Sequence, residues 1–361
     1  MSFKVFTNKD SSIFKKKVEE IYNEIDASDL YPPFPKTSLI ELSNACNHAC
    51  VFCTNPRMKR KKGFLNIEIY EKFVRDAIAL GLRNVGLYST GEPFLMKNLN
   101  DYIRIAKDAG AGYIYITTNG ALATPEKLIS AIDAGLNSIK FSVNAGTRET
   151  YKLTHGADNF DKVMENIRFV SNYRKEKNID LTLMASCVLT KYTDDEEEIV
   201  KDQLLPLVDD LAFYGVFAQF GQSIDQLDML RSTMTDSYPE LGKASACSMV
   251  WNRVHLSCEG YLSMCCGDYE NALVYADAKV SSLEDAWHNH VITEMRKRHQ
   301  AQELDGTLCK NCLYGTKDRV LPITDIAHKD VQTELKSDKA IGVQSVNERI
   351  SKLALLKRTK E

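Results

Sequence analysis

The sequence has no uninterrupted apolar run approaching the ~20 residues that span a bilayer. Its opening stretch, MSFKVFTNKDSSIFKKK, shows neither an apolar h-region nor a cleavage site. Membrane-spanning and secreted readings are thereby set aside, and a cytoplasmic protein is expected. No charge of one sign dominates: 46 Lys and Arg stand against 49 Asp and Glu, a formal net charge of -3. That balance gives no global pull towards nucleic acid or a membrane surface. There is no low-complexity segment and no internal repeat beyond a strand–helix unit. Cysteine is not scarce: ten occur in 361 residues. In a reducing compartment, closely spaced thiols bind metal or do redox chemistry more often than they form disulfides.

Six β-type runs are present: SLIELSNA, NVGLYST, YIYITTNG, SIKFSVNA, LTLMASCVLT and LAFYGVFAQF. They alternate with amphipathic stretches such as IEIYEKFVRDAIALG, LNDYIRIAKDAG and PEKLISAIDAG, which end in Gly81, Gly110 and Gly135 as helix stops. Strand–helix alternation predicts a parallel α/β sheet with right-handed crossovers. Six units fall short of the eight that close a full barrel, so an open, partial (β/α)6 barrel is expected, with a doubly wound sheet as the competing reading. In both, the chemistry belongs at the C-terminal ends of the strands.

The boundaries read as follows. Residues 1–35 form an N-terminal extension with a charged helix over about 11–26, and residues 36–239 form the barrel. A small cysteine-rich module occupies 240–316, with VHLSCEGYLSMC as a hairpin turning at Glu259 and Gly260. A charged, partly helical tail fills 317–361, where SVNE (345–348) reads as a capping box ahead of Ile350, Leu353 and Leu356.

At the end of the first strand, ACNHACVFCTNP places Cys46, Cys50 and Cys53 within eight positions. Four thiolates would fill a zinc tetrahedron or satisfy every iron of a cubane; three leave one iron open to a cofactor or substrate. A zinc site completed by His48, or inert packed thiols, are the alternatives. His48 sits only two residues from both Cys46 and Cys50, a poor reach for one tetrahedron.

The C-x3-C-x2-C spacing, with Phe52 before the last cysteine, resembles the radical S-adenosylmethionine (radical SAM) superfamily. STGEPFL (89–95), TTNG (117–120) and FSVNAGTRETYKLTHG (141–156) follow in that family's order, over about residues 36–222. The resemblance implies a [4Fe-4S] cluster on Cys46, Cys50 and Cys53, with S-adenosylmethionine at the open iron. It implies Phe52, Gly91, Glu92, Asn119, Ser142 and Asn144 around that cofactor, Glu92 facing its amino group. Thr90 stands where the family usually has glycine. The implied chemistry is reductive cleavage to a 5'-deoxyadenosyl radical and hydrogen abstraction from an unactivated carbon. An electron donor such as flavodoxin or ferredoxin is the implied partner.

Cys247, Cys265, Cys309 and Cys312 form a second set, whose spacing alone suits a four-thiolate zinc as well as a second cubane. Their order, with the hairpin and the closing C-x2-C, resembles the SPASM and twitch auxiliary-cluster modules. With no cysteine after Cys312, the short version with one auxiliary [4Fe-4S] cluster is implied. Cys266 is an alternative to Cys265, while Cys258 and Cys187 read as packed thiols.

An auxiliary cluster with no open iron is best understood as an electron carrier, which favours net oxidation of the substrate. The sequence singles out no base: Tyr88, Tyr214, Gln219, Arg253 and Asp268 are candidates for substrate contact or proton transfer. Only 45 residues precede Cys46, fewer than the small peptide-binding domain of peptide-modifying members. The expected substrate is therefore a small polar molecule such as a sugar, nucleotide sugar or aminocyclitol, with a peptide or protein as the alternative. RMKRKKG (57–63), beside the cysteine loop, reads as a solvated basic loop.

Overall fold

The computed structural model describes residues 3–9, 11–13, 16, 26–217, 222, 224–237, 246–327 and 341–360. Six parallel strands form its centre: β2 (Thr37–Ile40), β3 (Asn84–Gly86), β4 (Tyr113–Thr118), β5 (Ser138–Ser142), β6 (Thr182–Leu189) and β7 (Asp210–Gly215). Each falls on one of the six β-type runs, with β2 and β7 starting one residue earlier. They neighbour one another in strict sequence order, from β2 to β7. A doubly wound sheet would reverse its order at a switch point; this one does not, and it is the partial barrel.

The pleat separates two environments. Val85, Ile114, Ile139, Leu183 and Leu211 occupy facing or near-facing positions and are wholly buried against the helices. Those helices include α1 (Ile67–Ala79), α2 (Leu99–Asp108), α3 (Pro125–Asp133), α4 (Arg148–His155), α5 (Phe160–Glu176) and α6 (Glu197–Leu204). The first three end just before Gly81, Gly110 and Gly135, each with a positive φ that suits glycine.

Four expectations need correction. Residues 1–35 begin with a strand, β1 (Phe3–Thr7), antiparallel to β7. FKVFT is rich in aromatic and β-branched residues, and Phe6 packs edge-on against Phe213 at 5.9 Å, so the open edge of β7 recruits it. The helix expected over 11–26 lies largely outside the described residues, as does Gln219.

Secondly, the cysteine-rich module is not set apart from the barrel. Its hairpin, β8 (Arg253–Leu256) and β9 (Tyr261–Ser263), turns where expected, and β10 (Val274–Asp277) pairs with β9. Yet β8 also pairs parallel with β2, from Thr37↔Arg253 to Ile40↔Leu256. An open barrel leaves β2 with unpaired backbone groups, and β8 satisfies them. One ten-stranded sheet results among the described residues.

Thirdly, SVNE starts no helix. The C-terminal helix, α8, runs Ile341–Lys360, and the carbonyl of Ser345 already accepts from Arg349 Nε. Its buried side is Val346, Ile350 and Leu353, with Leu356 half-buried. The fourth correction concerns RMKRKKG. Met58 and Arg60 point inward and are buried, and Lys62 donates its ammonium to Asn44 O and Asn55 Oδ1, leaving Lys59 and Lys61 to the solvent. No helix among the described residues is long and apolar enough to cross a membrane.

Candidate functional site

The loop carrying Cys46, Cys50 and Cys53 leaves the top of β2 and is pinned by backbone bonds. Ala49 N donates to His155 O at 2.9 Å and Val51 N to Thr154 O at 2.9 Å, fixing it to the end of α4. Arg349 of α8 donates from Nη2 to Ala49 O and from Nη1 to Leu153 O at 3.0 Å. Val346, Ile350 and Leu353 pack there with Val51 and Phe52, so the tail covers the loop. Phe52 is thus a buried packing residue, 8% exposed.

Burial pushes the Cys46 thiol up to about 12, helped by Glu92, and raises Cys50 and Cys53 as well. Three neutral thiols gathered under cover need a cation among them to become thiolates. A single zinc ion is a poor fit. Tetrahedral zinc brings its sulfurs to about 3.8 Å from one another, from Zn–S bonds of ~2.3 Å. Among the described residues, two trios bring ligand atoms within 4.8 Å of one another: His48–Cys50–His155 and Glu41–Cys258–Glu259. Neither cysteine set forms such a trio. The wider spacing suits thiolates at separate irons of a cubane.

The strand ends around the loop are crowded. A Cβ on Gly91 would lie 2.2 Å from Ser43 O and 2.5 Å from Ala45 O, so only glycine lets the backbone pass. Glu92 follows, 2% exposed. Its Oε1 accepts from Thr118 Oγ1 at 2.7 Å and Phe94 N at 3.0 Å, and its Oε2 from Asn119 N at 2.8 Å. Burial raises this carboxyl, and the three donors oppose the rise. Oε2, with one bond, keeps a lone pair for a further donor such as an ammonium. Glu92 also caps the 3-10 turn Pro93–Leu95.

Asn119 donates from Nδ2 to Asn47 Oδ1 at 2.9 Å and lies 3.9 Å from Cys46 Sγ. Ser142 ends β5 and is half-buried. Asn144 is committed elsewhere: its Oδ1 accepts from Val188 N at 2.8 Å, and its amide nitrogen lies 3.2 Å from His155 Nε2. His155 is the residue that sequence reasoning missed. Fully buried, it places Nδ1 3.5 Å from Cys50 Sγ and 3.2 Å from His48 Nδ1.

In the second set, Cys247, Cys265 and Cys309 are partly buried against the main core, and Cys312, on α7 (Leu308–Tyr314), is exposed. Cys265 lies close enough to Cys247 and Cys312 to be raised by both, and Cys309 likewise. Cys247 and Cys312 are also near Cys266. The Cys265 and Cys266 thiols are hydrogen-bonded to each other, which raises the first and lowers the second; His255 and Arg253 lower Cys266 further. Cys187 and Cys258 are buried in the core.

Two features join the cysteine sets. Tyr269, from the loop after Cys266, holds its hydroxyl 3.8 Å from Cys53 Sγ and is acted on by Cys266 and Cys46. The basic run 57–63 supplies the other. Arg60 forks onto Glu41 at 2.7 and 2.8 Å and reaches Glu259 and Asn271 of the hairpin region, each at 2.9 Å. Thr90, in place of the usual glycine, donates its hydroxyl to Glu41. Asp268 is tied by Ser263 and the amides of Ala272 and Leu273. A small pocket lies between these groups, lined by Ser89, Thr90, His255, Cys265, Cys266 and Asp268 among others. Tyr88, Tyr214 and Arg253 are half-buried and belong to the inner face of the barrel.

Comparison with known proteins accords with this arrangement. Residues 40–202 match the model of the radical SAM superfamily, and residues 247–313 match that of an iron-sulfur cluster-binding domain, SPASM. A probable GTP 3',8-cyclase of Metallosphaera sedula is 33% identical over 45% of this chain and 49% of its own length. The chain spans less than half the length of the first curated relatives it matches. An S-adenosyl-L-methionine-dependent 2-deoxy-scyllo-inosamine dehydrogenase of Niallia circulans is 21% identical over 76% of this chain and 90% of its own length. Among solved structures, BtrN in complex with AdoMet and 2-DOIA aligns with a TM-score of 0.51 and 18% identity, covering 77% of this chain and 92% of that one. Streptococcus suis SuiB bound to precursor peptide SuiA gives 0.59 and 13%, covering 81% and 74%. These two likenesses concern the fold alone.

Proposed function

The chain is a radical SAM enzyme with a C-terminal SPASM module, with S-adenosylmethionine and radical and auxiliary [4Fe-4S] clusters as cofactors, and on that premise we propose that it oxidises a small polar molecule such as a sugar, nucleotide sugar or aminocyclitol. The observation that carries the reading is Tyr269, whose hydroxyl lies 3.8 Å from Cys53 Sγ of one set and which is close enough to Cys266, beside the other, to feel its charge. The dehydrogenase relative, matched over most of its length, supports it. Cys46, Cys50 and Cys53 would hold the first cluster, and Cys247, Cys265, Cys309 and Cys312 the second.

When bound, these groups supply one-electron cleavage at the first site and an acceptor for the substrate's electron at the second. The chain's own residues bind, orient and enclose. Glu92 Oε2 would accept from the amino group of S-adenosylmethionine, with Asn119 and Ser142 beside it at the strand ends. Phe52 and α8 keep water from the loop, and Arg349 holds its backbone. An electron donor such as flavodoxin or ferredoxin would deliver the electron.

Glu92→Gln is expected to keep both clusters while weakening S-adenosylmethionine binding. A charge-assisted hydrogen bond contributes about 1.5–3 kcal/mol, which corresponds to roughly 10- to 150-fold. Equilibrium binding to the reconstituted protein measures it; unchanged affinity would reduce Glu92 to a cap for its 3-10 turn.

The oxidation itself is tested by Cys309→Ala with Cys312→Ala. Both residues lie on α7. Product formation should stop while S-adenosylmethionine cleavage continues. Because β8 is bonded to β2, a circular dichroism melt must show that the sheet survives. A folded variant that still makes oxidised product at the normal rate removes the second cluster from the reaction. A product at the substrate's own oxidation state makes the enzyme redox-neutral.

A further inference from the structure

The inner face of the barrel carries a lysine that the motifs above leave unexplained. In β5, Ile139 and Phe141 are wholly buried against the helices, so the pleat turns Lys140 to the opposite face. The same alternation runs through β4, where Ile114 and Ile116 are buried while Tyr113, Tyr115 and Thr117 are half-buried. Tyr88, Tyr214 and Arg253 are likewise half-buried. The inner face is therefore open enough to be reached, and it is lined by tyrosines and cations.

An ammonium withdrawn from water ordinarily takes a carboxylate or carbonyl partner. Among the described residues, none accepts a hydrogen bond from Lys140. Its nearest ring is that of Tyr88, with Nζ 5.9 Å from the centroid, the outer limit of a cation–π contact. The ionisable groups close enough to act on it are Arg253 and the Cys266 thiol. Arg253 comes from β8, and its charge also acts on Tyr88 and Tyr115, so both cations lie near the Tyr88 ring. Burial, with Arg253 adding to it, brings the ammonium down to about 8. An incoming anion would offset both effects.

The height is informative as well. Lys140 faces Thr117 in the register, two residues below the strand-end positions Asn119 and Ser142. Two residues of strand are about 7 Å. A small molecule anchored at Lys140 would place its far end beneath the cofactor residues, with Cys266 to one side.

We infer that Lys140 and Arg253 bind an oxyanion of the substrate, a phosphate or a carboxylate, on the inner face of the barrel. The inference rests on the reading of this barrel as the site of a small polar substrate and narrows that class to acidic molecules.

Anion binding tests it directly. Holoenzyme saturated with S-adenosylmethionine is titrated anaerobically by calorimetry with inorganic phosphate and, separately, with acetate. At least one should bind saturably, and the stronger one identifies the group. Lys140→Met should weaken that binding by about 10-fold or more, and Lys140→Arg should restore most of it. Iron content and melting temperature establish that the variants are folded and loaded. Failure of both anions to bind the wild-type protein overturns the inference, as does binding that Lys140→Met leaves unchanged. If Lys140 instead balances charge near Cys266, Lys140→Met will shift the auxiliary-cluster potential in a redox titration and leave anion affinity untouched, which also overturns it. Because the readout is anion affinity, the result stands apart from the turnover of the Cys309/Cys312 variant.

Discussion

Joint replacement of Cys46, Cys50 and Cys53 by alanine is expected to leave about four of about eight irons and to end S-adenosylmethionine cleavage. The fold should survive, because the loop is held by backbone bonds to α4 and by Arg349, none of which needs the thiols. Iron and sulfide analysis after anaerobic reconstitution, with chromatography of the cleavage products, measures both effects. Retention of all the iron, or of cleavage, would sink the assignment of the first site. Tightly bound zinc with only four irons in the wild-type protein would instead turn the second site into a structural zinc site. His48, Cys50 and His155 form a competing trio. It is separated by the Cys46→Ala/Cys53→Ala variant, which would keep a metal held by that trio and lose a cubane.

Arg60→Met is expected to cost about 3–5 kcal/mol of stability, the scale for removing one partner from a buried ion pair. Arg60 and Glu41 have side-chain exposures of 1% and 4%, so the loss is not softened by solvent. Glu41, its carboxyl held low by Arg60 and Thr90 against the opposing effect of burial, would be left as an isolated buried charge. Arg60 also links the cysteine loop to Glu259 and Asn271, so the variant should loosen the joint between the two matched domains. Adding Glu41→Gln should recover part of the loss, since the stranded charge is then gone. Urea denaturation measures both; a loss below about 1 kcal/mol would mean that water reaches the pair in solution.

Much of the architecture was legible in the chain. Six β-type runs alternating with amphipathic stretches specify parallel strands, because the periods of 2 and 3.6 are local properties of the sequence. Glycine stops fix helix ends locally as well. The Cys46–Cys53 loop was legible because ligand spacing within a loop is set by chain reach, while the Gly91–Glu92 pair and the second cysteine set were legible through their resemblance to known motifs.

What the sequence could not decide are the joints, which depend on groups far apart in the chain. FKVFT becomes a strand only because β7 presents an open edge, and β8 joins the barrel only because β2 does. Charge pattern alone makes RMKRKKG a solvated loop; Glu41, 19 residues earlier, takes Arg60 out of water. His155 gains its place beside Cys50 from the docking of α4 on the cysteine loop, and Lys140 gains its meaning from strand register. The sequence by itself determined the parallel sheet and two sets of cysteines spaced to bind metal. The tertiary structure decided that both sites rest on one sheet, with Tyr269 between them, because edge pairing and buried charge pairing are satisfied only when distant segments meet.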